Sequence, residues 1–190
     1  MLKELSSGTA DGELPLSIVL PVFNEQSILM ANAEALAADG AVGLSTSCGF
    51  LALYQKDLEA LSPVPVATSA LLQIKELTGR KVGVLTASAE NLTPAHLEAV
   101  GAPGDTPVEG MPEGGSFAAT FIKNGTTLDR AAVEREAIAA GRVLLKRHPD
   151  VDTIVLECTN LPPYKAALQR VLGLPVHDVL DLLKDFHARL

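Results

Sequence analysis

Short apolar runs alternate with stretches of mixed apolar and polar positions along most of the chain. Runs of four to eight apolar residues bounded by turn residues read as buried strands, and apolar positions three to four apart read as helix. On that basis strands are expected over 16–20, 41–46, 64–68, 81–86, 106–111, 153–157 and 174–177. Helices are expected over 27–38, 49–61, 70–77, from Thr93-Pro94 to Gly101, 128–147, 162–172 and 179–190. Several ends are marked chemically. Thr93 is a good N-cap with Pro94 in the first turn. Gly40, Gly79 and Gly101 close helices, as do Pro63 and Pro65, and His148-Pro149-Asp150 closes the longest one. The segment 112–115 reads as loop.

Strand followed by helix, repeated this often, predicts an α/β fold with a mostly parallel sheet and helices on both faces. The pattern also repeats loosely. Residues 41–61 run strand, cysteine, helix; residues 153–172 do the same; each is followed by a Pro-Val strand, Pro65-Val66 and Pro175-Val176. Two pseudo-symmetric modules are expected, 1–80 carrying Cys48 and 81–190 carrying Cys158, facing each other across a cleft. Ligands of open α/β sheets bind beyond the carboxyl ends of strands, where both cysteines fall.

Composition narrows the chemistry. With 190 residues, 47% of them apolar, the chain can bury a sizeable core. A net charge of −8 argues against nucleic acid or an anionic membrane surface as partner. Absence of Trp and 4% aromatics argue against a stacking platform for single strands. No stretch is apolar enough for a membrane span or a secretory leader, so a cytoplasmic location is expected. His96, His148, His177 and His187 show no metal-ligand spacing with the two cysteines, so no metal is expected.

What remains is the pair of thiols, which composition leaves open as inert, chemical or joined in a disulfide. Cys48 and Cys158 each follow a strand and precede a helix, where free N–H groups and the helix dipole favour an anion. Both are therefore expected to have lowered pKa values. Thr46, Ser47, Thr159 and Asn160 stand beside them, suited to holding a carboxylate. Other polar residues carry less. His177-Asp178 reads as a surface or half-buried pair, Asp150 and Asp152 as a solvated turn, and the stretch 101–104 lacks the context of a nucleotide loop. Glu157 is unusual in a buried strand: it needs a partner or lines the cleft.

The segment Thr46-Ser47-Cys48-Gly49-Phe50-Leu51-Ala52, followed by Tyr54-Gln55, resembles the first active-site motif of the aspartate/glutamate racemase superfamily. The segment Val155-Leu156-Glu157-Cys158-Thr159-Asn160, with Pro162-Pro163-Tyr164, resembles its second, and the segments 65–69 and 82–87 are similar to family segments between them. The resemblance spans roughly residues 33–183. It implies two α/β halves with the active site between them, no cofactor, a small carboxylate-bearing substrate and a homodimer. In the racemases one thiolate removes the Cα proton and the opposite thiol protonates the other face, so Cys48 and Cys158 would be the acid/base pair. Ser47, Gly49, Thr86, Thr159 and Asn160 would contact substrate.

Two departures qualify the substrate. Glutamate racemases carry His, and aspartate racemases Glu, where this chain has Asn160, which cannot titrate. Hydantoin racemase, arylmalonate decarboxylase and maleate isomerase chemistries therefore stand beside amino-acid racemisation, as does a non-catalytic binding role. The decarboxylases keep only one of the two cysteines; this chain has both. Only 47 residues precede Cys48, and residues 1–30 do not match the family's opening. The first βα unit is expected to be divergent or short by roughly 30–40 residues.

Overall fold

A computed structural model describes residues 17–19 and 26–190, with side chains from residue 31 onward. The expectations for residues 1–16 and 20–25, no leader and a divergent or shortened first unit, lie outside the described residues.

Strand β1 (Ser17–Val19), helix α1 (Gln26–Ala38), β2 (Leu44–Thr46), α2 (Gln55–Leu61) and β3 (Val66–Ala67) come first. Then follow β4 (Val82–Thr86), α3 (Pro94–Ala99), β5 (Val108–Gly110), α4 (Arg130–Arg147), β6 (Thr153–Leu156), α5 (Lys165–Leu172), β7 (Val176–His177) and α6 (Val179–His187). One sheet has the order β1-β2-β3 and the other β5-β4-β6-β7, and every pairing is parallel. The fold is thus α/β with parallel sheets. Parallel strands need crossover connections, and the intervening helices supply them.

Three helices expected from the sequence are tighter in whole or in part, among them 162–172, which opens on a 3-10 turn, Pro162–Tyr164. Residues 49–61 split into a 3-10 turn, Gly49–Tyr54, and α2. Residues 70–77 form a 3-10 turn, Ala70–Glu76, whose first five residues are all buried. A π-turn, Ala118–Ile122, follows the loop at 112–115 and was not expected from the pattern. The Glu136 carboxylate on α4 anchors it by accepting the Ser116 and Phe117 N–H groups at 2.6 and 2.9 Å.

The two sheets share a core. Ala52, Ala67, Leu71 and Ile74 from the first pack in one cluster with Val82, Val84 and Val155 of the second. Helix α6 returns across this cluster through Val179, Leu182 and Phe186. A second cluster, including Leu85, Phe117, Val133, Leu144, Ile154, Leu156, Leu161 and Leu168, lies between the second sheet and helices α4 and α5.

Asp178 is not a surface residue. It is 1% exposed and caps α6, Oδ1 accepting the N–H groups of Leu180 and Asp181 at 2.9 and 3.1 Å. Lys165 pairs with it at 3.6 Å and with Asp181, and Gln73 Nε2 donates to its carbonyl at 2.9 Å. Asp178→Ala is expected to cost about 1–2 kcal/mol, because two helix N–H groups and a lysine lose their acceptor. A urea midpoint equal to the parent's would exclude that role for the cap.

Candidate functional site

Cys48 leaves β2 and caps the 3-10 turn; Cys158 leaves β6, the strand next to β4 in the other sheet. Both therefore stand beyond carboxyl ends of parallel strands. A small pocket of about 150 Å³ receives them, with Ser47, Gly49, Thr159 and Asn160 in its wall. Of the seven residues picked from sequence, six line this one pocket. Thr86 stands behind it: its side chain is fully buried, and its hydroxyl donates to Glu157 Oε2 at 2.6 Å.

Local hydrogen bonds explain how the loops are held. Thr46 Oγ1 donates to the Thr68 carbonyl at 2.6 Å, and Ser45 Oγ to the Ala67 carbonyl at 2.7 Å. Gln55, buried at the start of α2, donates to the Val66 carbonyl at 2.8 Å and accepts the Thr68 N–H at 3.0 Å. These bonds tie the Cys48 loop to β3. The Thr159 hydroxyl then donates to the Ser47 carbonyl at 2.6 Å, joining the two cysteine loops across 112 residues of chain.

Glu157 is 1% exposed and lines the pocket beside both thiols. Its Oε1 has no hydrogen-bond partner among the described residues. It fits there because residue 49 is glycine. A Cβ at that position would collide with Glu157 Oε1 and stand 2.5 Å from the Glu157 carbonyl oxygen. Gly49 thus lets the first cysteine loop close onto the second; a direct role in holding substrate would be an addition to this.

The remaining wall is apolar: Phe50, Ala87, Phe117, Phe121 and Ile122. Phe117 and Phe121 pack ring to ring, centroids 4.9 Å apart. Sequence reasoning left the 117–122 segment out of the site. Its only signal there was an apolar pair four residues apart, which reads equally well as core. Larger open concavities of about 560 and 410 Å³ lie elsewhere, lined by neither cysteine. They sit away from the strand ends that carry the thiols.

The electrostatics correct one expectation. Both thiols are raised, not lowered. Burial is the largest influence on Cys48, and the Glu157 carboxylate adds to it; the N–H groups of Phe50 and Leu51 oppose them but do not prevail. For Cys158, burial first and then the Glu157 and Cys48 charges push the thiol up to about 12, against hydrogen bonds from Asn160. The N–H groups anticipated from the strand-to-helix turns are present, yet desolvation in a tight pocket outweighs them. Glu157 itself is pushed up to about 7 by burial, with the Thr86 hydroxyl pulling the other way. Among the described residues no group of three or more His, Cys, Asp or Glu side chains is placed to hold a metal ion, and no helix is long and apolar enough to cross a membrane.

The chain is similar to known proteins at several distances. The chain is 33% identical over 165 residues to Dimethylsulfoniopropionate lyase 5 of Emiliania huxleyi (strain CCMP1516), covering 80% of this chain and 32% of that protein. It is 27% identical over 157 residues to a dimethylsulfoniopropionate lyase of Durusdinium sp. clade D, covering 77% and 51%. The chain therefore spans only a third to a half of the length of these curated relatives. Among solved structures, arylmalonate decarboxylase superposes with a TM-score of 0.56 at 21% identity, over 79% of this chain and 68% of that one. Glutamate racemase from Thermus thermophilus, in complex with β-chloro-D-alanine, gives 0.53 at 20%, over 88% and 66%. Those two likenesses concern the fold alone. Residues 24–184 match the Asp/Glu/Hydantoin racemase family, and the chain belongs to that family.

Proposed function

We propose that the pocket carries out cofactor-independent proton transfer at the carbon beside a small substrate's carboxylate, with Cys48 and Cys158 as the acid/base pair of a racemase or isomerase. One observation carries the reading: two thiols, delivered by strands of two different sheets, line one pocket. Inverting a carbon centre by proton transfer needs a base on one face and an acid on the other. Ser47, Thr159 and Asn160 offer hydroxyl, amide and backbone donors for the substrate carboxylate, which carries growing charge as the proton leaves. Two modules, residues 1–80 and 81–190, would each supply one cysteine. A homodimer and a cytoplasmic location belong to the same reading, supported by the family resemblance.

The raised thiols bear on roles. Cys158 is the more strongly displaced and is suited to wait as the proton donor. Cys48 is half-exposed and has the Phe50 and Leu51 N–H groups to steady a thiolate, so it is suited to act as base. A pocket of about 150 Å³ matches the size of cavity that holds a benzene ring. That volume favours an amino acid or a similarly small carboxylate over an arylmalonate, which carries a ring and two carboxylates.

A second reading is favoured by the 33% identity to a dimethylsulfoniopropionate lyase. There the Cα–H bond breaks toward a cysteine thiolate, a Cα–Cβ double bond forms, and the Cβ–S bond breaks with its electrons moving to sulfur. Dimethyl sulfide and acrylate leave. The aromatic wall of Phe50, Phe117 and Phe121 and the Glu157 carboxylate suit a sulfonium cation.

Incubation in deuterated water with small amino acids, hydantoins, maleate, arylmalonates and dimethylsulfoniopropionate separates these. Racemisation with deuterium at Cα is the expected result for the first reading. Dimethyl sulfide with acrylate would replace it by the second, and carbon dioxide from an arylmalonate by decarboxylation. Saturable binding with no exchange on any compound would make the chain a binding protein.

A further inference from the structure

Asn160, which cannot titrate, stands where glutamate racemases carry His and aspartate racemases Glu. The structure places a titratable group beside both thiols. Glu157 is a buried carboxyl in the wall of the same pocket, with one oxygen held by Thr86 and the other unpartnered among the described residues. A buried carboxylate oxygen without a donor is costly, and a native fold that keeps one has a use or a compensation for it. No lysine or arginine forms an ion pair with it among the described residues. The titratable groups that face it are Cys48, from the loop after β2, and Cys158, from its own strand end. From β4 the Thr86 hydroxyl donates to its carboxylate and the Leu85 carbonyl accepts its backbone N–H at 2.9 Å, and from the 3-10 turn Gly49 packs against it.

We infer that Glu157 is a positioning residue that acts through Cys48, holding the proton that this thiol gives up before it attacks a Cα–H bond. The inference rests on the reading of Cys48 as an acid/base group. Its first step is internal: the Cys48 S–H bond breaks, an O–H bond forms on Glu157 Oε1, and the negative charge moves from carboxylate to sulfur. In the second, the thiolate takes the Cα proton and the electron pair of the C–H bond passes into the substrate carboxylate. No proton enters from or leaves to solvent. The close approach at Gly49 is what lets the Cys48 loop reach Glu157 at all. Burial that raises the carboxyl to about 7 brings its proton affinity nearer that of a thiol and makes the exchange less uphill.

The test follows alkylation of Cys48 by iodoacetamide in a Cys158→Ser background, where one thiol reports. With Glu157 present, the rate against pH is expected to rise over a broad range in two steps, because a carboxyl that ionises first holds the thiol back. Glu157→Gln should collapse this to a single, steeper step and make alkylation several-fold faster at a fixed neutral pH. In the two-thiol protein the same change should lower the rate of Cα deuterium exchange at least tenfold, although its thiol is more acidic. An unmoved alkylation profile in a folded Glu157→Gln protein overturns the inference. Thr86→Val gives the same reading with Glu157 in place. Losing the hydroxyl keeps the carboxyl neutral to higher pH and should shift the profile in the same sense by less; no shift overturns the inference as well. A shifted profile together with no Cα exchange on any compound would instead remove the proposed reaction while leaving the Glu157–Cys48 coupling standing, so the two failures are told apart.

Discussion

Replacing Cys48 with serine is expected to abolish inversion at Cα in both directions, and Cys158→Ser to do the same. A serine hydroxyl holds its proton far more tightly than a thiol, so it supplies neither the base nor the acid at neutral pH. General acid–base groups contribute roughly 10²–10⁴-fold each, and loss of either should reach that range. The two variants are expected to differ in detail. Cys48 is the group with opposing N–H donors, and Cys158 is held up to about 12. Cys48→Ser should therefore stop proton removal outright. Cys158→Ser should also block inversion, while leaving slow exchange from the face that Cys48 serves. Circular dichroism of the product reads inversion, and proton NMR in deuterated water reads exchange. Full inversion in either variant removes the two-thiol mechanism. Loss in only one variant, with elimination products in the parent, points to the lyase reading, which needs a single base.

The second expected result concerns stability against pH. Glu157 has an ordinary value of 4.5 in the unfolded chain and about 7 in the folded protein, because burial disfavours its charged form. Below the lower value the carboxyl is neutral in both states. Between the two, the folded protein holds a proton that the unfolded chain has released, so stability falls as pH rises through this window. Above the upper value an anion sits in the pocket wall with one oxygen unpartnered, and the full cost is present. The displacement corresponds to about 3 kcal/mol. Glu157→Gln has nothing to ionise there, so its unfolding free energy should gain about 3 kcal/mol on the parent between about pH 4 and about pH 8. Urea unfolding of both proteins at several pH values makes the comparison, and parallel curves would mean that the carboxyl ionises as freely in the fold as outside it. A carboxyl that lowers stability near neutral pH is the pattern of a group kept for its chemistry.

Much of the fold is legible in the linear pattern. Apolar runs of strand length, helical spacings and chemical stops at Gly and Pro place most elements within a few residues, because they depend on near neighbours. Thr93 before Pro94 marks the start of α3, where the Thr93 N–H donates to His96 Nδ1 at 3.2 Å. The 3-10 turn at Gly49–Tyr54 is less legible. Its first residue packs against Glu157, more than 100 residues away, and helical spacing cannot record that contact.

By itself the sequence determined the alternation of strand and helix, the parallel α/β class and the position of each cysteine at a strand-to-helix turn. These are local matters of periodicity and capping. Only the tertiary structure decided what surrounds the thiols. It brought Thr159 onto Ser47, Thr86 onto Glu157 and the 117–122 segment over the pocket, contacts spanning up to 112 residues. It also set the sign of the thiol shifts. Turn geometry alone favours a thiolate, but burial and a neighbouring carboxylate push the other way, and their strength depends on how closely the chain packs from a distance.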